Sequence, residues 1–185
     1  MDAVQRAFEA VPRAEFLPRR QRSRAAYDGP IQLGHGSTNS QPRTVEAMLD
    51  LLDVRPGDRV LDVGAGSGWT TALLAHLTGA AGSVLGLELE PAIAKWGAEN
   101  VRRADRPWAT LEAALPGVLG DPARAPYDRI LVSADADELP QELVDQLADG
   151  GRMVVPVNSV MTVVVRSDKD VEVTHHGRYS FVPLR

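Results

Sequence analysis

The chain contains no cysteine, which excludes disulfides, zinc–thiolate sites and thiol nucleophiles and leaves the redox compartment unmarked. Aromatic residues make up only 5% of the 185 positions, so the core must be built mainly from aliphatic side chains. No apolar run approaches the roughly 20 residues that a membrane-spanning helix needs. The opening MDAVQRAFEAVPRAEF carries acids inside its apolar stretch and has no signal-peptide apolar region, which predicts a cytoplasmic protein. Positive charge is in deficit: 20 Lys and Arg against 25 Asp and Glu give a net charge of −5. That balance argues against nucleic acid or an anionic membrane as a partner.

What the chain does have is apolar content, 44% of residues, ample for one globular domain spanning 1–185. Val4, Ala7, Phe8 and Val11 recur at helical spacing and stop before Pro12, predicting a short amphipathic helix. Arg13, Arg19, Arg20, Arg22 and Arg24 follow within a dozen positions, and the reading adopted for them is a solvated turn or helix face. From Tyr27 to Gln41 the sequence is polar, glycine-rich and without period, which predicts a long loop of functional character. Pro42 then opens a helix with core face Val45, Met48, Leu49 and Leu52, and Ser40 is placed to cap it.

Beyond Arg55-Pro56-Gly57-Asp58 strands and helices alternate. RVLDV, a helix through Leu73, Leu74 and Leu77, SVLGLEL and a helix from Pro91 with Ile93, Trp96, Gly97, Asn100 and Val101 on its core face form a β-α-β-α unit. ATLEAAL, DRILVSA and GGRMVVPV are further strand candidates, with PQELVDQLA a helix ahead of the Gly150-Gly151 pair. MTVVVR, DVEV and YSFVPL follow with no helix between them, predicting hairpin strands at one edge. The fold class expected is α/β: a mostly parallel sheet with helices on both faces and antiparallel strands at its C-terminal end.

In such sheets ligands bind beyond the carboxyl ends of the strands where strand order reverses. The first turn of the unit, Asp62-Val63-Gly64-Ala65-Gly66-Ser67-Gly68-Trp69, lies there. Its glycines admit close approach of backbone to a ligand, and the helix that follows offers free N–H groups. Trp69 stands where a dinucleotide fingerprint has its third glycine, and no P-loop lysine follows Gly68. The second strand ends in Glu88, an acid placed to accept from both hydroxyls of a ribose. Glu90, beside Pro91, is read as a helix cap. Together these features point to an adenosine-containing ligand.

At these residues the chain resembles a family. LDVGAGSG with Glu88 looks like the S-adenosylmethionine site of Rossmann-like methyltransferases, and VPRAEFLP, AYDGPIQLGHGSTNSQP, APYDRILVSA, ELPQELVDQLADGGRMVVPV and FVPL resemble protein-L-isoaspartate (D-aspartate) O-methyltransferases. The resemblance implies that 1–42 supply an N-terminal helix and a loop covering cofactor and substrate, and that 43–185 form the α/β core. It implies S-adenosyl-L-methionine as cofactor and S-adenosyl-L-homocysteine as product. By the same resemblance Ser40 matches the family's active-site serine, and Thr38, Asp62, Gly64, Ala65, Gly66, Ser67, Glu88 and Leu89 are the expected cofactor contacts, with no metal. The reaction implied is methyl esterification of the free carboxylate of an L-isoaspartyl residue in a protein or peptide; the ester closes to a succinimide that partly reopens as aspartate, a repair. A carboxylate is ionised at neutral pH and needs no base, so alignment and exclusion of water are the enzyme's work.

The chain departs from the family pattern at three places. Asn39 stands where an apolar residue is usual, Leu115-Pro116-Gly117 where the family has Gly-Asp-Gly, and Asp135, Asp137 and Glu138 where it has small neutral residues. Gly120-Asp121 replaces the missing acid only if its loop is rearranged. Three readings therefore stay open beside repair: a specialised or inactive relative that serves one dedicated aspartyl or isoaspartyl peptide or only binds S-adenosylmethionine, a nucleotide-dependent oxidoreductase, and a metal site at the three acids. His35 is read as a structural or solvent-facing loop residue, and His175-His176 as no metal pair, since adjacent strand residues face opposite ways.

Overall fold

The computed structural model describes residues 2–168 and 170–185. Helix α1 (Ala3–Ala10) opens with a capping box in which the Asp2 carboxylate accepts from the Gln5 amide and the Gln5 side chain accepts from the Asp2 amide. It is followed by two 3-10 turns, Arg13–Phe16 and Arg19–Arg24. Then come β1 (Ile31–Gly34), β2 (Ser37–Asn39), α2 (Pro42–Leu52), β3 (Arg59–Val63), α3 (Trp69–Thr78), β4 (Ser83–Glu88), α4 (Pro91–Arg103), β5 (Ala109–Ala113), β6 (Tyr127–Val132), α5 (Gln141–Val144), β7 (Leu147–Val157), β8 (Val160–Ser167) and β9 (Asp170–Arg178).

Seven strands form one sheet in the order β5-β4-β3-β6-β7-β8-β9. Pairing is parallel from β5 through β7 and antiparallel for β7-β8 and β8-β9. The chain builds outward from β3 to β5 on one side and resumes with β6 on the other, so strand order reverses between β3 and β6 and opens a crevice at their carboxyl ends.

Alternate residues of the central strands enter two separate cores, as the pleat requires. Val60, Leu131, Val154 and Met161 pack against α1, α2, α3 and α4, whereas Leu61, Ile130, Met153 and Val164 face the opposite core with Leu143 and Val144 of α5. The α/β class and the antiparallel edge follow the sequence expectation.

Five local expectations are corrected. The segment 27–41 is not irregular throughout: it contains the β1-β2 hairpin, whose strands are too short to show a period of two and whose tip turns through positive φ at Gly34, His35 and Gly36. The helix expected over PQELVDQLA is a single turn, because Leu147 already pairs with Tyr127 and the Gln146 side chain is drawn onto the carbonyls of Leu119 and Glu142. Gly150-Gly151 accordingly lies inside β7, in a register shift, rather than at a helix stop. YSFVPL contributes one isolated bridge, Pro183 beside Asp135, since Pro183 has no N–H to donate to a ladder. On α4, Ile93, Ala94, Gly97, Asn100 and Val101 are buried but Trp96 only half so.

Candidate functional site

The turn after β3 is held from two sides. The amides of Gly64 and Ala65 donate to the Leu87 carbonyl of β4 at 2.9 and 3.0 Å. Behind it α4 packs so closely that a methyl group on Gly68, whose φ is +83°, would stand 2.6 Å from Val101 and 3.0 Å from the Gly97 carbonyl. Trp69, in place of a further glycine, begins α3 and anchors the N-terminal segment: its indole donates to the Val11 carbonyl at 3.1 Å, and its ring meets Phe8 edge-on at 5.4 Å.

Two acids flank the turn. Asp62 is fully buried, and its Oδ2 accepts from the hydroxyls of Thr70 and Thr71, both at 2.7 Å, while Oδ1 has no partner. Burial pushes its pKa up to about 6 against the opposing pull of the two threonines. Glu88 accepts from the Gly66 amide through Oε2 and the Glu90 amide through Oε1, each at 2.9 Å. A carboxylate has about four acceptor positions, so the Glu88 side chain is fixed in place and retains capacity for a pair of hydroxyls.

The β1-β2 hairpin lies over this turn. Thr38 and Ser40 line a hollow of about 20 Å³ with Gly64, Ala65, Gly66, Ser67 and Ser133. The space admits little more than one water-sized group. The N-cap of α2 is Gln41, with no side-chain cap bond, so the capping role expected of Ser40 is not what the structure has; the chain enters the helix one residue later, and the Ser40 hydroxyl is left on the hollow's wall. Asn39 is buried and bridges two partners, accepting from Arg13 Nε at 2.6 Å and donating to Ser67 Oγ at 3.1 Å.

Arg13 organises the whole covering segment. Its guanidinium donates to the carbonyls of Tyr27 (2.7 Å), Gly29 (2.8 Å), Ser40 (2.9 Å), Asn39 (3.3 Å) and Ala25 (3.4 Å), and it lies over the Trp69 ring at 5.5 Å. Burial pulls its pKa down to about 10, mitigated by Asp28, so it is charged at neutral pH. The reading of the basic cluster as solvated therefore fails for Arg13 and holds for the other four, all exposed.

A second, open cleft of about 1300 Å³ meets the hollow at Gly64. Glu88, Leu89 and the hairpin tip line it, and exposed Leu89, Leu115 and Val118 give it an apolar side. Glu90 caps α4 as expected, and its carboxylate lies 3.8 Å from exposed His35. Asp121 does not replace the missing acid: its carboxylate is bound by Arg124 at 2.6 Å, and Arg124 reaches on to Glu112. Asp135 is committed to Ser159, while Asp137 and Glu138 line the cleft. His175 and His176 lie within β9, each beside a threonine.

Of the residues expected from sequence, Thr38, Ser40, Gly64, Ala65, Gly66 and Ser67 come together around the hollow, and Glu88 and Leu89 around the cleft beside it. Asp62 lines neither and sits beneath the turn. Two residues escaped the sequence reading. Arg13 carries no signal that separates it from its basic neighbours. Ser133, whose buried Oγ lacks a partner and whose backbone lies 3.6 Å from a Gly64 Cβ position, was accessible from its place just past β6 at the strand-order reversal.

The profile of the family described as protein-L-isoaspartate(D-aspartate) O-methyltransferase matches residues 1–185. A protein-L-isoaspartate O-methyltransferase of Methanopyrus kandleri is 40% identical over 186 residues, covering 98% of this chain and 82% of that protein. One from Aeropyrum pernix is 41% identical over 192 residues, covering 98% and 72%. Among solved structures, a Plasmodium falciparum chain described as a protein-L-isoaspartate O-methyltransferase in complex with S-adenosyl-L-homocysteine superposes with a TM-score of 0.86 at 25% identity, covering all of this chain and 91% of that one.

Proposed function

The chain belongs to the protein-L-isoaspartate(D-aspartate) O-methyltransferase family, and from that premise we propose that it methylates the free carboxylate of L-isoaspartyl residues in proteins or peptides, with S-adenosyl-L-methionine as donor. The observation that carries the reading is the hairpin seated on the glycine turn, which brings Ser40 and Thr38 to the same hollow as Gly64 to Ser67.

The residues present fit the cofactor. Glu88 has free acceptor positions for ribose hydroxyls. Ser133 Oγ, on the wall of the hollow, is a buried polar atom without a partner, and such an atom ordinarily finds one; Asp62, beneath the turn, braces it through the Thr70 and Thr71 hydroxyls. Leu89, Leu115 and Val118 offer apolar surface to an adenine ring, with no acid among the cleft residues Leu115, Pro116 and Gly117 to bind its amino group. When bound, S-adenosylmethionine supplies an electrophilic methyl on a positively charged sulfur.

The protein's own contribution is placement. The Ser40 hydroxyl, on the wall of the hollow, would donate a hydrogen bond to one oxygen of the incoming carboxylate and so leave its other oxygen free to accept the methyl that the bound cofactor would supply. The clamp of Arg13 on the covering segment holds Ser40 and Thr38 in place over the turn, which fixes the approach of the carboxylate. The carboxylate is already ionised, so no side chain has to take a proton.

The test is transfer of labelled methyl to two synthetic peptides identical except for isoaspartate or aspartate at one position, scored as base-labile ester. Labelling of the isoaspartyl peptide alone is the expected result. Labelling of neither, or of both equally, overturns the substrate assignment.

A further inference from the structure

Between Phe16 and Tyr27 the chain carries Arg19, Arg20, Arg22 and Arg24 and no acid, on a protein whose net charge is −5. All four are exposed on the 3-10 turn Arg19–Arg24. Among the described residues none of them has a carboxylate partner: Arg24 donates to the Gln21 side chain at 3.2 Å and Arg22 to the Leu17 carbonyl at 3.5 Å. Like charges so close in sequence repel one another, and among the described residues no ion pair neutralises them: Asp28, the nearest acid to follow in the sequence, is paired with Arg43.

Their position is tied to the candidate site. One guanidinium, that of Arg13, touches both the Ala25 carbonyl, next to the last arginine of the turn, and the Ser40 carbonyl. Exposed Tyr27 lays its ring against Gly29, which the same guanidinium also binds, and Arg24 lies over that ring at 5.3 Å. Arg24, Tyr27, Gly29, Arg13 and Ser40 therefore form one contiguous run from the basic surface to the hollow.

We propose that the Arg19–Arg24 turn is a docking subsite for acidic segments of the substrate polypeptide, receiving carboxylates that flank the residue methylated beneath the hairpin. The proposal rests on the isoaspartyl reading above. Guanidinium groups pair with carboxylates through two parallel hydrogen bonds, and exposed Tyr27 offers peptide backbone an aromatic surface. The acidic remainder of the protein repels a phosphate polymer along its length, whereas a peptide needs only a short acidic stretch beside its isoaspartyl residue.

The experiment uses the whole chain and isoaspartyl peptides of one length carrying three Glu, or three Gln, on the N-terminal or the C-terminal side. KM and kcat are measured for wild type and for the R19Q/R20Q/R22Q/R24Q variant, at low salt and at 0.3 M added salt. The wild type is expected to show a KM roughly five- to tenfold lower for the acidic peptide of at least one pair, with kcat unchanged, since a few exposed ion pairs contribute about that much together. The preference disappears in the variant and shrinks at high salt. The ratio of the two KM values is the readout, so a general loss from misfolding cancels. Equal KM values in wild type, or a preference that survives removal of the arginines, overturns the docking subsite alone. Methylation of none of the peptides overturns the isoaspartyl reading and this proposal with it.

Discussion

Arg13 Nε donates to Asn39 Oδ1 at 2.6 Å between two buried residues 26 positions apart, and Asn39 passes the contact on to Ser67 in the glycine turn. The buried polar residue at 39 thereby links the covering hairpin to the cofactor turn.

Asn39→Leu leaves a buried guanidinium N–H without an acceptor and is expected to cost about 1–3 kcal/mol of stability, with methyl transfer reduced because the hairpin loses its hold on the turn. Asn39→Asp keeps the acceptor for Arg13 and, by accepting from the Ser67 hydroxyl where Asn39 donates to it, reverses the second contact, so it restores most of both stability and transfer. Denaturant unfolding and a methyl-transfer assay on the two variants check this; an Asn39→Leu protein as stable and active as wild type removes the link.

Ser40→Ala is expected to leave S-adenosylhomocysteine affinity as in wild type and to lower kcat by roughly ten- to hundredfold, the worth of one hydrogen bond to a charged group. Calorimetric binding beside steady-state turnover separates the two effects. Intact turnover dismisses the serine from the reaction.

Glu88→Ala has the converse signature. Its carboxylate is held by the Gly66 and Glu90 amides with capacity left for the ribose, so cofactor affinity is expected to weaken by roughly ten- to hundredfold, and saturating cofactor recovers much of kcat. Unchanged affinity refutes the assignment.

Asp62 gives a pH test. Its folded pKa is raised to about 6, above the unfolded value, so between pH 3.8 and 6 the native state binds more protons than the unfolded one and stability falls as pH rises. The penalty is absent below that window and complete above it, amounting to about 3 kcal/mol. Asp62→Asn keeps an oxygen for Thr70 and Thr71 and has no such penalty, so its stability relative to wild type should climb from pH 4 to pH 7 while cofactor binding weakens. Urea unfolding of both proteins across that range decides it; a difference that stays flat with pH sinks the account.

Gly97→Ala places a methyl 2.5 Å from the Gly66 carbonyl and 3.0 Å from Leu111. Either α4 or the turn must shift, at a cost of about 1–3 kcal/mol, and cofactor affinity is expected to fall although residue 97 touches no ligand. Thermal unfolding with and without S-adenosylhomocysteine tests this, the variant showing a smaller ligand-induced rise in Tm than wild type.

The β-α-β-α alternation, the glycine turn and Glu88 were legible because each is local: strand period, helix period and a turn that needs positive φ all leave their mark within about ten residues. Elements whose limits depend on distant partners were not. The helix at Gln141 ends after one turn because Leu147 finds Tyr127 on a neighbouring strand, and the β1-β2 hairpin is held because Ile31 is buried and Asn39 reaches Arg13 and Ser67, contacts no three-residue alternation conveys.

The sequence by itself determined the α/β alternation, the crevice residues and the family, since these rest on patterns contiguous along the chain. Only the tertiary structure decided what holds the site shut. Arg13 reads as one arginine among five until the fold surrounds it with carbonyl oxygens and the Trp69 ring, and Ser40, matched by resemblance to an active-site serine and also placed to cap α2, loses the capping role once α2 is seen to begin at Pro42 with Gln41 as its N-cap. A side chain's partners across 26 positions are set by where the sheet and its helices bring them, and burial then makes those few hydrogen bonds expensive to lose.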